Sequence, residues 1–93
     1  MQNSSIYRAR WGAGSIFALA VGHQLRAARR ARGLTQAGLG RPLSGAFVSA
    51  VERGEIVPSL PSLAFLVSRL GLRLDTFFHA VEDSFGNEAV PKA

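Results

Sequence analysis

Residues 35–54, TQAGLGRPLSGAFVSAVERG, contain two short stretches that favour helices, separated by a very short joint. Thr35 and Ser44 are residue types that cap the N-terminus of a helix. Pro42 stops the first stretch, because proline lacks a backbone N–H and fixes its own φ. A joint this short and stiff constrains the angle between the two helices. The stretch therefore predicts a rigid helix pair in which the first helix positions the second for contact with a partner.

The remainder of the chain favours three more helices, and no segment shows the two-residue period of a strand. The predicted helices span residues 16–32, 36–41, 45–53, 60–70 and 74–81. In the first, the inward positions are Leu19, Val21, Leu25, Ala28 and Ala31. Gly33, Gly54 and Gly71 are placed to end three of the helices. The sequence thus predicts an all-α fold, a compact five-helix bundle.

We assign residues 15–82 to one folded domain, with flexible tails at residues 1–14 and 83–93. Arg8 and Arg10 precede an apolar stretch, which superficially resembles a secretory signal. That stretch runs without a break into the first helix, however, and no apolar run approaches the ~20 residues of a membrane span. We therefore expect a cytoplasmic protein with no membrane partner.

The charge of the chain is unevenly distributed. Its net charge is +5, yet all six acidic residues lie at or after Glu52, and residues 1–51 carry seven arginines and no acid. Arginine suits phosphate contacts, so the N-terminal half could face an anionic partner or simply be an ordinary solvated surface. There is no cysteine, and His23 and His79 are far apart in the sequence. We expect no metal, no cofactor and no enzymatic activity.

Three segments in a fixed order resemble a known family: LRAARRARGLTQ, FVSAVERG and PSLPSLAFLVSRLGLRLDTFF. Over residues 18–80 the chain resembles the five-helix DNA-binding domain of lambda-repressor/Cro (XRE-type) helix-turn-helix proteins. The resemblance implies sequence-specific binding of double-stranded DNA and transcriptional regulation by a repressor-like homodimer, in a prokaryotic or phage-encoded setting.

The resemblance, together with the positions of Arg41 and Arg53 near the two ends of the helix pair, indicates which residues face the DNA. The expected set lies on the helix pair and consists of Gln36, Arg41, Ser44, Gly45, Ala46, Ser49, Ala50 and Arg53. Gln36 would contact the DNA backbone near the start of the second helix. The turn is two residues shorter than in relatives. The base-reading positions hold only glycine, alanine and serine, so we expect weak direct readout of bases.

A buried ion pair is expected inside this region. Val48, Val51 and Glu52 share one face of the third helix, which points a carboxylate toward the core, and a buried carboxylate needs a partner. The resemblance suggests Arg29 of the first helix as that partner. The alternative is an exposed Glu52 at the helix end.

Other roles stay open at this point. Specificity could come from DNA shape and from an N-terminal arm of Arg8, Arg10 and Trp11, unless Trp11 packs against the domain. Binding could instead be mostly electrostatic. The fold could also serve protein binding, for instance to a toxin, a polymerase or another regulator. Phe78 and Phe85 are candidates for a homodimer interface.

Overall fold

A computed structural model describes residues 9–85, apart from the side chain of Phe85. Between residues 15 and 85 the chain forms five α-helices, and the described residues contain no β-strand. The helices are α1 (Ile16–Ala31), α2 (Gln36–Gly40), α3 (Gly45–Glu52), α4 (Leu60–Arg69) and α5 (Leu74–Phe85). The predicted all-α, five-helix fold is confirmed. In the described part of the chain, no helix combines the length and apolarity needed to cross a membrane.

Hydroxyl side chains cap the N-termini of four helices. Thr35 and Ser44 accept hydrogen bonds from backbone amides three residues later, as the sequence predicts. Ser59 does the same for α4, and Ser15 does so for α1 at 3.1 Å. These bonds satisfy amides that have no partner within a helix. The residues that the sequence marks as helix starts therefore fix where α2, α3 and α4 begin.

The core lies where the five helices meet. It contains Val21, Leu25, Leu39, Val48, Val51, Leu63, Leu66, Val67, Leu70, Phe77 and Val81, all of them buried. The predicted inward face of α1 was partly wrong, because Leu19 is 50% exposed and Ala31 is exposed. The buried positions of α1 begin instead at Ala18, which lies one residue, or about 100°, around the helix from Leu19.

Gly22 allows α1 and α3 to approach closely. A Cβ atom at this position would lie only 2.6 Å from the backbone oxygen of Glu52 and would also collide with the backbone oxygen of Val51. A methyl group here would therefore push α3 away from α1, because backbone atoms cannot move aside as a side chain can. This role of Gly22 was not predicted from the sequence.

Helical structure is also present on both sides of residues 15–82. Helix α5 continues to Phe85, four residues past the predicted end at Val81. At the other end, residues 9–11 are helical, and the Gly14 amide donates a 2.7 Å hydrogen bond to the Gly54 carbonyl oxygen. The division into a domain of residues 15–82 and two flexible tails stays a prediction.

Candidate nucleic-acid interface

Helices α2 and α3 pack closely across their short joint. The Arg41–Pro42 peptide bond is cis, and the Leu43 amide donates to the Gly40 carbonyl oxygen at 2.6 Å. A Cβ atom at Gly40 would lie 2.7 Å from Val48 Cγ2, so the absence of a side chain lets the end of α2 pack on α3. A Cβ atom at Gly45 would lie 3.2 Å from the backbone nitrogen of Ala37, which is closer than an ordinary contact. Small residues thus accommodate the short turn.

Helix α3 has one buried face and one outward face. Val48 and Val51 are fully buried. The predicted contact residues Ala46, Ser49, Ala50 and Arg53 are spaced by three and four residues and share the opposite face. Ala46 and Arg53 are exposed, whereas Ser49 and Ala50 are partly buried. Ser44, which caps this helix, is exposed, and Gly45 is partly buried. We call this outward face, from Ser44 to Arg53, the α3 surface.

Arg29 and Glu52 form the expected ion pair. Arg29 Nε and Nη2 donate to the two carboxylate oxygens of Glu52 at 2.6 and 3.0 Å, and the two side chains are only 11% and 2% exposed. Arg29 Nη1 also donates to the Leu34 carbonyl oxygen at 2.7 Å. The hydrogen bond to Glu52 raises the pKa of Arg29. The alternative of an exposed Glu52 is wrong, and the pair ties α3 to α1.

Gln36 contributes to the same network. Its side-chain amide nitrogen donates to Glu52 Oε1 at 3.0 Å, so the carboxylate receives three hydrogen bonds from two side chains. This bond joins the start of α2 to the end of α3. It was not anticipated from the sequence, which indicated a DNA-backbone role for Gln36, and that role stays a prediction.

Arg53 is held by an acidic neighbour that the sequence analysis missed. Its guanidinium makes two hydrogen bonds to Glu55, at 2.8 and 2.9 Å, and also donates to the hydroxyl oxygen of Ser49. The arginine lowers the pKa of Glu55, mainly through these hydrogen bonds. The spacing of Arg53 and Glu55, two residues apart in the sequence ERGE, could have indicated this pair. Glu55 therefore offsets the positive charge at the C-terminal end of the α3 surface.

The other predicted basic contact, Arg41, is exposed just after α2. Near it, Arg69 of α4 donates to the Gly38 carbonyl oxygen at 2.9 Å and lies 5.7 Å from the centre of the Phe65 ring. Arg69 thereby holds α2 against α4. Both arginines are exposed, and Arg69 is the one with contacts to the backbone of α2 and to the Phe65 ring.

A polar cleft of about 260 Å³ lies beside the α3 surface. It is lined by Arg26, Arg29, Gln36, Ser49, Glu52 and Arg53. The structure thus brings the ion pair together with three of the predicted DNA-contact residues, and adds Arg26, which the sequence analysis did not select. We refer to this feature as the α1–α3 cleft.

The residues expected at a dimer interface lie elsewhere. Phe78 of α5 is partly buried and borders an apolar cavity of about 370 Å³, which Trp11 and Phe17 also line. The side chain of Phe85 lies outside the described residues. Trp11 packs edge-on against Phe17 with ring centres 5.2 Å apart, as in the alternative in which it joins the domain.

The predicted N-terminal arm also includes Arg8 and Arg10. Arg10 is exposed, and Arg8 lies outside the described residues. An arm that reaches into a minor groove therefore stays a prediction, and Trp11 is not part of its free end.

Comparisons with known proteins give the same fold. The chain is similar to the clp gene regulator ClgR from Corynebacterium glutamicum, with 26% identity and a TM-score of 0.70 over 75% of this chain and 92% of that one. It shares 22% identity and a TM-score of 0.69 with the restriction-modification controller protein C.Esp1396I, over 75% of this chain and 92% of that one.

A helix-turn-helix (HTH_3) family transcriptional regulator from Vibrio cholerae gives 29% identity and a TM-score of 0.62, over 68% of this chain but only 36% of that one. No curated protein matches this sequence. The family model described as a helix-turn-helix domain matches residues 20–76, which contain α2, α3 and α4 entirely. The chain belongs to this helix-turn-helix domain family.

Proposed function

We propose that this protein binds double-stranded DNA through α2 and α3 and regulates transcription as a homodimer. One observation carries the proposal: the buried face of α3 is held by Val48, Val51 and the Arg29–Glu52 pair. Apart from Arg53, its opposite face carries only short side chains. A rigid, narrow helix of this kind fits the major groove of B-DNA, which admits an α-helix. ClgR, at 26% identity, is described as a gene regulator, which supports this role.

The small side chains determine how the α3 surface would work. Ala46 and Ala50 can contact thymine methyl groups, and Ser44 and Ser49 can hydrogen-bond to several bases, but none of these makes a bidentate base contact. We infer that phosphate contacts, including those of Gln36, position the helix, and that DNA shape supplies much of the specificity. C.Esp1396I, which shares the fold, was solved as a tetramer on its natural 35-base-pair operator.

The proposal places the two copies of the chain together through α5, with Phe78 and Phe85 as the contact residues. Two copies would present two α3 surfaces to neighbouring half-sites and so multiply weak contacts. The proposed setting is the cytoplasm of a prokaryote, with a chromosomal or phage gene, and the role is non-catalytic.

A charge reversal on the α3 surface tests the proposal. Ala46→Glu places a carboxylate on the exposed side of α3 without touching the core, and we expect it to abolish DNA binding through repulsion from the phosphates. Thr76→Glu is the matched control, since it makes the same charge change at an exposed position in the first turn of α5. Equal loss of binding in the two variants, by fluorescence anisotropy, would contradict a DNA-facing α3 surface.

Protein binding is the second candidate function, in which the chain acts as an antitoxin or binds another regulator and has only weak electrostatic affinity for DNA. The cavity beside Trp11, Phe17 and Phe78 favours it, because an apolar cavity at the surface can accept a partner's side chain. Under this alternative, Ala46→Glu would leave partner binding intact.

A further inference from the structure

The α1–α3 cleft combines one free positive charge with hydrogen-bond donors. Arg29 and Arg53 each face a carboxylate, of Glu52 and Glu55 respectively, with both guanidinium edges engaged. Arg26 lies on the exposed side of α1 and makes no ion pair with any described residue. Of the three arginines that line the cleft, Arg26 is therefore the one whose charge is uncompensated.

Two other side chains of the cleft retain donors. Gln36 uses one proton of its amide nitrogen for Glu52, and that nitrogen carries a second. The Ser49 oxygen accepts a hydrogen bond from Arg53, which leaves its own O–H available to donate. The carboxylate of Glu52 already receives three hydrogen bonds, so its charge is matched within the cleft. The ligand that suits one cation and two neutral donors is a singly charged oxyanion.

We propose that the α1–α3 cleft binds a single backbone phosphodiester of the DNA and that Arg26 is its anchoring charge. The inference rests on the proposed function, because the cleft opens beside the α3 surface, where a DNA backbone would border the groove that α3 enters. Under this inference, the principal charged contact is made by a residue of α1 and not by Arg53, whose charge Glu55 neutralises. A guanidinium forms charge-assisted hydrogen bonds with phosphate oxygens, which makes such an anchor stronger than a neutral donor.

Arg30 provides a matched comparison. It lies one turn after Arg26 on α1 and is exposed, but it does not line the cleft. Replacing either arginine by glutamine removes one positive charge from the same helix. A long-range effect of net charge would be similar for the two variants, whereas a phosphate contact in the cleft belongs to Arg26 alone.

The experiment measures the affinity of the full chain for a fluorescein-labelled duplex of mixed sequence at several salt concentrations. Neutralising one phosphate contributes about 0.9 to the slope of log affinity against log salt. We expect Arg26→Gln to reduce the magnitude of the slope by about 0.9 and Arg30→Gln to leave it at the wild-type value. Thermal unfolding of both variants verifies that they are folded.

If the wild-type protein binds DNA, two results would overturn the inference while leaving the proposed function intact. One is an equal slope for Arg26→Gln and Arg30→Gln, and the other is a slope in Arg26→Gln that is unchanged from wild type. A wild-type protein that fails to bind DNA at the lowest salt concentration would instead remove the proposed function, and the cleft assignment with it. A reduced slope confined to Arg26→Gln supports both.

Discussion

At the scale of single residues, Glu52 connects three parts of the molecule. Glu52 lies in α3, and its carboxylate receives two hydrogen bonds from Arg29 of α1 and one from Gln36 of α2. Ionised groups removed from water need this kind of compensation, since an unpaired buried charge is costly. The consequence is that the α3 surface keeps a fixed position relative to the rest of the domain.

Removing this carboxylate should destabilise the fold. We expect Glu52→Ala to lower the free energy of unfolding by about 3 kcal/mol, because Arg29 would remain largely buried without its partner. Glu55→Ala is the control, since it removes an exposed carboxylate that also pairs with an arginine, and its free energy of unfolding should not change measurably. Chemical denaturation of both variants gives the comparison. If Glu52→Ala unfolds with the same free energy as the wild-type protein, a structural role for the ion pair would be contradicted.

Asp75, in the first turn of α5, provides a test by pH. Hydrogen bonds from Arg73 and from the Thr76 amide lower its pKa from 3.8 to about 2. Because the pKa is lower in the folded state, this contribution to stability is present above about pH 3.8 and is lost as the pH falls through about 2. We expect a carboxyl NMR titration of Asp75 to show a midpoint near 2. Arg73→Gln should move that midpoint up toward 3.8, and an unchanged midpoint would contradict the pairing.

Sequence reasoning predicted some residues of the site better than others. The inward direction of Glu52 follows from its spacing with Val48 and Val51, a local property of one helix. The bond from Gln36 to Glu52 depends on how α2 packs on α3, and no local pattern reports that geometry. The role of Gly22 was missed for the same reason, since the atoms that require a glycine there belong to another helix.

At the scale of elements, the helix pair is assembled from conventional caps and unusually small residues. The starts of α2 and α3 could be predicted from Thr35 and Ser44, because a capping hydrogen bond joins residues that are close in the sequence. Glycine is a poor helix former, yet Gly40 lets α2 approach Val48 of α3. The end of α5 was predicted too early, since the residues that follow Val81 contain no glycine or proline before Gly86.

The pair of Arg53 and Glu55 lowers the positive charge of the α3 element. We expect Glu55→Gln to raise DNA affinity at low salt and to steepen its salt dependence by up to about 0.9, because Arg53 would gain a free charge near the phosphates. Glu82→Gln on α5 is the control with the same change in net charge, and screening should keep its effect small. Anisotropy titrations that give equal gains for both variants would contradict a local role for Glu55.

At the scale of the whole molecule, charge separates along the chain. Seven arginines and no acid precede Glu52, whereas α5 carries Asp75, Glu82 and Asp83. The basic part includes α1, whose Arg26 borders the cleft beside the α3 surface. We expect an arrangement of this kind to orient the protein on an anionic partner, with α1 and α3 toward the DNA and α5 away from it.

A homodimer through α5 is compatible with that orientation. We expect sedimentation analysis to show a dimer whose fraction rises with protein concentration, and Phe78→Ser to shift the protein toward monomer because it removes an apolar contact from the interface. Phe65→Ser, at another partly buried aromatic on α4, is a control for general loss of packing. A monomeric mass at every concentration of the wild-type protein would contradict the dimer.

We propose that this domain reads DNA sequence through α2 and α3. The most direct test is fluorescence anisotropy of the full chain against a duplex from upstream of its own gene and a scrambled duplex of equal composition, at low and near-physiological salt. We predict tighter binding to the upstream duplex and a preference that persists at the higher salt. Equal binding to both duplexes that disappears as salt rises would contradict the claim, because it would reflect only attraction between arginines and phosphates.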